Sequence, residues 1–308
     1  NNTGFPFGGS WGVNYYKDLF FTFQFYNNRA KVPLLELFNG TSLWWMMPYN
    51  FGNSRAANHS IGIALGLMDR QAFDFEDSLD VFLTPESGKE GKLSLNYIFK
   101  NQRIHRRNMF SPNHGYGFSV NHDMVTSAIW GKLDYNKTEI DLFTHQKLGP
   151  FSVYGRGRYE KLSGKPLPQD QLGIFDIPNY YIAGSFVPGR EYMSPRGFSG
   201  AIYGDQAFMG TVELRAPAAP FQFVEILKII QLGNPTVALI SDFGNAWKHD
   251  GDKEELIMTT GLEFRFALSL AKSPLFIFSY GWAQSPEKWG NDLEKLTERW
   301  EGDVIDVG

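Results

Sequence analysis

Histidine side chains are the first candidates for metal binding or acid–base chemistry in this chain. The six histidines stand at positions 59, 105, 114, 122, 145 and 249. They show no metal-ligand spacing. His249-Asp250-Gly251-Asp252 offers ligand atoms, but its composition is that of a solvated loop tip. Since the chain has no cysteine, it can form neither disulfides nor thiolate metal sites. We expect no bound metal.

Motifs for nucleophilic catalysis or phosphate binding are absent from the sequence. It contains no Gly-x-Ser-x-Gly elbow, no phosphate loop and no dinucleotide fingerprint. We therefore expect no enzymatic activity and no cofactor. The net charge of −4 and the isoelectric point near 5.9 give no electrostatic reason to expect a nucleic-acid partner.

The composition favours β-structure at a membrane. Aromatic residues make up 16% of the chain, and there are 32 glycines, a profile typical of β-rich proteins with membrane-interface side chains. No uncharged apolar run approaches the ~18 residues that a spanning helix requires. The mean hydropathy of −0.29 fits a soluble protein or a barrel with a wet lumen.

Apolar and polar residues alternate in segments long enough to cross a bilayer as tilted strands. In 93–100 and 262–268 the apolar side chains share one parity and the polar ones the other. The segments 151–160 and 208–215 repeat the pattern. The same alternation occurs in a soluble β-sandwich. Phe, Leu and Tyr dominate the apolar parity while both charge signs share the polar one, which favours the barrel.

We expect one domain over 1–308, an all-β transmembrane antiparallel barrel of about 14–16 strands with a loop inserted into its lumen. The predicted strands are 9–16, 19–27, 31–38, 42–48, 58–69, 77–84, 92–104, 115–126, 131–147, 150–162, 205–216, 235–247, 256–269 and 274–284. Short turns are predicted at Lys17-Asp18 and at 271–274, and the charged loop 249–255 should lie on the long-loop side.

Three further segments have local signals. Polar residues three apart within 221–230 predict a short interfacial helix, with a strand as the alternative. Ser285-Pro286-Glu287 reads as the start of a second helix. The aromatic segment 44–49 favours a girdle at headgroup level over a ligand-binding box.

Three motifs follow one another in the C-terminal half. Ser194-Pro195-Arg196-Gly197-Phe198 lies in the longest irregular stretch, Glu213-Leu214-Arg215-Ala216-Pro217 in the next strand, and Ile240-Ser241-Asp242-Phe243-Gly244 in the one after. In this order they resemble the barrel of the outer-membrane protein assembly and two-partner-secretion transporter superfamily, the bacterial surface antigen family. The segments 8–15 and 273–280 are similar to other stretches of that family. The resemblance covers about 190–284 well and is weak before residue 150.

The resemblance implies that an Arg-Gly-Phe loop tip is tucked into the lumen. A guanidinium placed there loses water and must regain hydrogen bonds from carboxylates. Strand parity makes Glu213 and Asp242 the best partners for Arg196. Gly197 would allow a tight turn, and Phe198 would pack against the inner wall of the barrel. The predicted latch is Arg196, Gly197, Phe198, Glu213, Asp242 and Gly244; the alternative is a surface Arg-Gly turn beside two unrelated carboxylates.

The polar parity of the other strands should line the lumen. The predicted lining residues are Arg156, Arg158, Arg215, Glu263 and Arg265. The family typically has periplasmic POTRA modules before a sixteen-strand barrel and a terminal aromatic strand after it. This sequence has neither, so we expect that the native protein continues beyond one or both termini.

The resemblance implies an outer-membrane barrel that inserts or translocates polypeptides or anchors a complex. Its expected partners are outer-membrane lipid and client polypeptides or envelope proteins. Two alternatives remain at this point: a passive solute pore lined by the charged residues, or the membrane-anchor subunit of a larger envelope complex.

Overall fold

The structure is a computed structural model. It describes residues 9–26, 30–49, 57–73, 86–102, 114–175, 193–198, 201–218, 224–226, 230–232, 235–248, 256–270 and 273–285. These residues are almost entirely β-strand. None of them forms a helix with the length and apolar character needed to span a bilayer.

Eleven long strands and four short ones occur in the described residues. In chain order they are β1 (Ser10–Tyr26), β2 (Ala30–Tyr49), β3 (Ala57–Ala72), β4 (Gly88–Gln102), β5 (His114–Val125), β6 (Asp134–Leu148), β7 (Phe151–Lys165), β8 (Leu172–Phe175), β9 (Ala201–Gly204), β10 (Gln206–Pro217), β11 (Val224–Ile226), β12 (Ile230–Leu232), β13 (Thr236–Trp247), β14 (Ile257–Leu270) and β15 (Ser273–Gln284).

The long strands form one antiparallel sheet in near-sequential order. Strands β1 to β7 pair with their chain neighbours, β10 follows β7, and β13, β14 and β15 complete the series. Short β12 pairs with β14 beyond the end of β13, and β11 pairs with β12. Strands β8 and β9 form a separate two-stranded sheet. Among the described residues, β1 and β15 are each paired along one side only.

The two faces of the main sheet have opposite chemistry. Residues directly opposite in register share a face, and the apolar ones are exposed: Trp11 is 54% exposed, Leu43 51% and Leu262 51%. The charged residues of the other face are buried, with Asp242 only 1% exposed. This is the reverse of a soluble sandwich, whose apolar face is covered. The outer face is therefore the lipid-facing surface of a transmembrane sheet of the barrel class.

The inner face, which carries the buried charges, wraps around the segment between β7 and β10. Asp170 of this segment bonds Arg70 on β3, while Ile174 lies against Gly244 on β13. Asp170 and Ile174 are four residues apart in the chain, so they lie at most ~14 Å from each other. The strands that they contact, β3 and β13, are six strand spacings apart, which is about 29 Å on a flat sheet. The sheet must therefore curve around the segment. A transmembrane β-structure of this kind belongs in a bacterial outer membrane.

The described residues contain eleven long strands for the fourteen predicted segments, because two pairs of predicted strands are single strands and one segment is not described. Predicted 9–16 and 19–27 are both part of β1, so the turn at Lys17-Asp18 is wrong. Predicted 31–38 and 42–48 are both part of β2. Alternation continues through each interruption in register with the neighbouring strand. Predicted strand 77–84 lies outside the described residues. Strands β14 and β15, on either side of the predicted turn at 271–274, are paired antiparallel; residues 271–272 lie outside the described residues, and Ser273 and Pro274 are already part of β15.

The interfacial helix predicted within 221–230 is also wrong in the described part, where β11 and β12 are strands. A short apolar run does not distinguish helix from strand by periodicity, and the β-branched residues Val224, Ile226 and Ile230 favour a strand. The second predicted helix begins at Ser285, and the rest of it lies outside the described residues. In segment 44–49, Trp45 pairs with Trp11 on the outer face, while Trp44 pairs with Gly12 on the inner face.

Candidate functional site

The site is the place where the β7–β10 segment lies on the inner face. Its first arm is a 3-10 helix, Pro168–Asp170, followed by β8. Its second arm, 193–198, contains the Arg-Gly-Phe tip and is joined to β8 by the bridge between Ile174 and Met193. The sheet of β8 and β9 packs against β10 and β13. Both arms therefore reach the inner face.

Arg196 is bound to Asp242, which lies on the inner face of β13. Its Nε donates to Asp242 Oδ2 over 2.7 Å, and its Nη2 donates to Oδ1 over 2.8 Å. The backbone N–H of Arg196 also donates to Oδ2, over 3.0 Å. Thr211, directly opposite on β10, donates to Oδ1 over 2.8 Å. Asp242 thus fixes both the guanidinium and the backbone of the loop tip.

The remaining Nη1 of Arg196 lies between two glutamates. It donates to Glu213 Oε1 over 2.9 Å and to Glu263 Oε2 over 2.7 Å. Glu213 is on β10 and Glu263 on β14, so Arg196 joins three strands of the sheet. Parity alone predicted Glu213 and Asp242 as partners, but it placed Glu263 only in the lumen lining.

Two further arginines complete the cluster. Arg265 donates to both Glu213 and Glu263, over 2.8 and 2.6 Å at the shortest. Arg215 donates through Nε to Glu213 over 2.7 Å. Its guanidinium also stacks 4.2 Å from the ring centre of Tyr154. Ser279 Oγ hydrogen-bonds to Glu263.

The cluster has three arginines and three carboxylates, so its formal charge is zero. We call these six residues the latch cluster: Arg196, Glu213, Arg215, Asp242, Glu263 and Arg265. Burial alone would lower the pKa of Arg196, but its hydrogen bonds to Asp242 and the nearby carboxylates outweigh this. The net direction of the pKa is upward, and the guanidinium stays charged.

The tip's backbone lies very close to the sheet. Gly197 has φ +75°, and a Cβ there would lie 1.8 Å from the carbonyl oxygen of Ala283 on β15. Only glycine fits both constraints. Gly244 gives room in the same way to Ile174, whose Cδ1 would lie 2.4 Å from an added Cβ. Phe198 packs against the buried apolar cluster that contains Ile174 and Met193.

Arg156 and Arg158 lie on the same inner face but outside the latch cluster. Arg158 is paired with Glu139 at 3.0 Å and Glu160 at 2.7 Å. Arg156 forms a bidentate pair with Asp141, and its side chain is 40% exposed. The five predicted lining residues therefore divide into two groups, since Arg215, Glu263 and Arg265 belong to the latch cluster.

Arg70, a buried arginine outside the latch cluster, was not predicted from the sequence. Arg70 on β3 donates to both oxygens of Asp170, over 2.6 and 3.0 Å, and to Glu36 of β2 over 3.0 Å. Glu90 on β4 lies 3.9 Å from it and accepts a 2.8 Å hydrogen bond from Tyr135. We call Arg70, Glu36, Glu90 and Asp170 the Arg70 cluster. Charged residues on the inner parity of β2, β3 and β4 were the available signal.

The part of the chain that the structure describes contains no group of three or more His, Asp or Glu arranged to hold a metal ion. Comparisons by sequence find no matching family model and no matching curated protein.

Many solved structures are similar to this chain, among them two bacterial proteins. CdiB from Acinetobacter baumannii has 14% sequence identity and a TM-score of 0.43, with 82% of this chain and 44% of that chain covered. An outer membrane channel from Pseudomonas putida F1 has 14% identity and a TM-score of 0.34, with 91% and 96% covered. The chain thus spans less than half the length of CdiB. Neither likeness assigns a function to this chain.

Proposed function

We propose that this chain is an outer-membrane barrel that inserts or translocates polypeptides, or anchors a complex, and that the Arg196 tip is a releasable latch on its inner face. The observation that carries the proposal is the neutral latch cluster, which fastens a separate chain segment to three neighbouring strands. The proposed partners are outer-membrane lipid and client polypeptides or envelope proteins. The protein itself performs no chemical reaction in this proposal.

The bonding pattern supports release of the tip without damage to the sheet. Side-chain bonds and one backbone N–H attach Arg196 to the strands, whereas the strands are held by their own ladder hydrogen bonds. When Arg196 leaves, Glu213 and Glu263 keep their bonds to Arg265. Asp242 keeps its bond to Thr211. Both glutamates therefore stay paired with Arg265, whereas Asp242, which is 1% exposed, gives up its bonds to Arg196.

The position of the segment supports a role in controlling passage. Its apolar residues Leu172, Ile174 and Met193 are buried in one cluster with residues of β5, β6, β7, β10 and β13. A client that follows the inner face of these strands must displace this cluster. Displacing it exposes apolar side chains to water, which is unfavourable, so passage requires compensating contacts with the client.

The other part of the inner face gives a second candidate function, a passive solute pore. Strands β4 to β7 line a cavity of about 280 Å³ that includes Lys100, Asp141 and Arg156. Arg156 is the exposed member of its ion pair. An exposed charged wall of this kind is typical of a water-filled channel.

Planar-bilayer recordings and a client-insertion assay on the same preparation test the two candidates. The client is a small outer-membrane barrel, diluted from urea into liposomes that hold this protein. We expect the wild-type chain to accelerate folding of the client over empty liposomes. Arg196→Ala should lose this acceleration and conduct more current. Arg156→Ala is the matched control, because it removes an inner-face arginine that pairs with Asp141 of β6.

Steady ohmic conduction by the wild type, without acceleration of the client, would replace this proposal with the passive pore. Co-purification of a stoichiometric envelope protein, without either activity, would favour the anchor role instead.

A further inference from the structure

The Arg70 cluster fastens the same segment near its beginning. Asp170 is the one member of the cluster that comes from the segment, and both of its oxygens accept hydrogen bonds from Arg70. Glu36 is 2% exposed, Glu90 2% and Arg70 4%. A bidentate arginine–carboxylate pair in such surroundings is strong and directional.

We propose that Arg70 is a positioning residue for the Arg196 latch: it clamps the first arm of the segment to β3 and thereby holds the second arm in place. This inference deepens the proposed function and rests on it. The latch then has two fastening points, one on β2 to β4 and one on β10 to β14.

The neighbour of Asp170 strengthens the clamp. Gln169 is 3% exposed, and its Nε2 donates to Glu36 Oε1 and to the Glu86 carbonyl, both over 2.8 Å. Its Oε1 accepts the backbone N–H of Glu86 over 3.1 Å. The 3-10 helix is thus tied to β2 and to the chain just before β4, as well as to Arg70.

A short rigid connection links the clamp to the tip. Ile174, four residues after Asp170, is completely buried and forms a parallel bridge with Met193. The Phe175 N–H donates to the Met193 carbonyl over 3.0 Å. Arg196 follows Met193 by three residues. Since buried segments in a packed cluster move together, loss of the clamp should also loosen the tip.

Removal of Asp170 can distinguish a positioning role of Arg70 from a purely structural one, because the other two carboxylates of the cluster belong to the sheet. Glu36 and Glu90 lie on the strands that flank β3 and can stabilise Arg70 without the segment. Asp170 adds a third carboxylate to a single arginine. Its removal therefore leaves Arg70 paired within the sheet, and weakens only the attachment of the arm.

Cysteine labelling tests this inference, because the chain has no cysteine of its own. Gln171→Cys reports on the first arm and Ser194→Cys on the second. The rate of modification by a polyethylene-glycol maleimide is measured for each in liposomes, with and without Asp170→Ala. Asp141→Ala is the matched control, since it removes an inner-face carboxylate that bonds Arg156 and not the segment. Heat-dependent gel mobility verifies that each variant is folded.

We expect Asp170→Ala to increase labelling about tenfold at position 171, the effect of losing a charge-assisted pair that is partly exposed. At position 194 we expect a rise of about threefold. Asp170→Glu should restore slow labelling, and Asp141→Ala should change neither rate. If Asp170→Ala does not fold, Asp170→Asn is measured against the same expectations.

An unchanged rate at position 171, or the same increase with Asp141→Ala, would overturn the clamp. A rise at 171 with no change at 194 would show a clamp that does not position the tip. Because labelling needs no client, these outcomes are independent of the insertion assay. Fast labelling together with a failed insertion assay would refute the proposed function and leave the clamp standing.

Discussion

The latch cluster and the Arg70 cluster both hold a guanidinium on the inner face, but their charge balances differ. Each places a guanidinium on the inner face and replaces its lost hydration with carboxylate hydrogen bonds. The latch cluster has three arginines for three carboxylates, whereas the Arg70 cluster has one arginine for three carboxylates. Neither cluster is held together by a single element of structure.

This difference in charge balance suggests a difference in role. Departure of Arg196 leaves two arginines paired with the two glutamates of the latch cluster, and one carboxylate, Asp242, with its bond to Thr211. Departure of Arg70 would leave three carboxylates with no cation from their own cluster. The first arrangement is suited to release, and the second is suited to permanent fastening.

The largest effect should come from Arg70→Met, which keeps the side-chain volume but removes the charge. Glu36, Glu90 and Asp170 would then repel one another at low exposure. We expect the free energy of unfolding to fall by about 3–5 kcal/mol, the range for a broken buried pair. Urea unfolding in liposomes, followed by gel mobility, measures it. A loss smaller than that of Arg196→Ala would contradict the assigned roles.

Arg196→Ala should have the next largest effect, up to ~3 kcal/mol, because Arg215 and Arg265 still neutralise the two glutamates. The same urea titration measures it. Tip release should appear in addition, as faster proteolysis within the segment. An effect on stability equal to that of Arg70→Met would remove the distinction between latch and fastening point.

Charge reversal at Asp242 should mimic Arg196→Ala, since Asp242 accepts three of the tip's five hydrogen bonds to the cluster. Combining Asp242→Arg with Arg196→Asp should restore heat-resistant folding only in part. The new carboxylate at position 196 would face Glu213 and Glu263. Independent, additive losses in the double variant would show that the two residues do not act as a pair.

The alternation of apolar and polar residues predicted the strands and their faces well, because every long strand places one parity in lipid. It did not predict that β1 passes through Lys17-Asp18. This charged pair lies in the middle of β1 and remains in the strand because β2 pairs with it in continuous register. The short strands β11 and β12 were missed because three residues contain too little of either periodicity.

The two clusters differ in how far the sequence could predict them. Arg196, Glu213 and Asp242 stand in ordered motifs on neighbouring elements, so parity was enough to propose their proximity. Asp170 and Arg70 are 100 residues apart in the chain. Their contact depends on how strongly the sheet curves, which no local pattern encodes. Buried charges on inner-face positions, such as Glu36, were visible but had no assignable partner.

Gly197→Ala should have a smaller effect that is confined to the latch. The residue has φ +75°, and the new Cβ would collide with the Ala283 carbonyl at 1.8 Å. We expect a loss of about 1–3 kcal/mol, since backbone strain and a displaced tip both contribute. Labelling of Ser194→Cys should accelerate, while labelling of Gln171→Cys should change less. Equal acceleration of both thiols would indicate that the segment has a single fastening point.

The smallest effect is expected for Asp141→Ala, which gives the baseline for both clusters. Asp141 pairs with Arg156, whose side chain is 40% exposed, so water replaces much of what the carboxylate provides. We expect a loss of no more than ~1 kcal/mol, the usual range for accessible ion pairs. The urea titration that compares Arg70→Met with Arg196→Ala measures it under the same conditions. If Asp141→Ala lowered the free energy of unfolding as much as either arginine variant, burial would not distinguish Arg70 and Arg196 from the accessible ion pairs of the inner face. The contrast between the two clusters would then reflect the stability of the inner face as a whole.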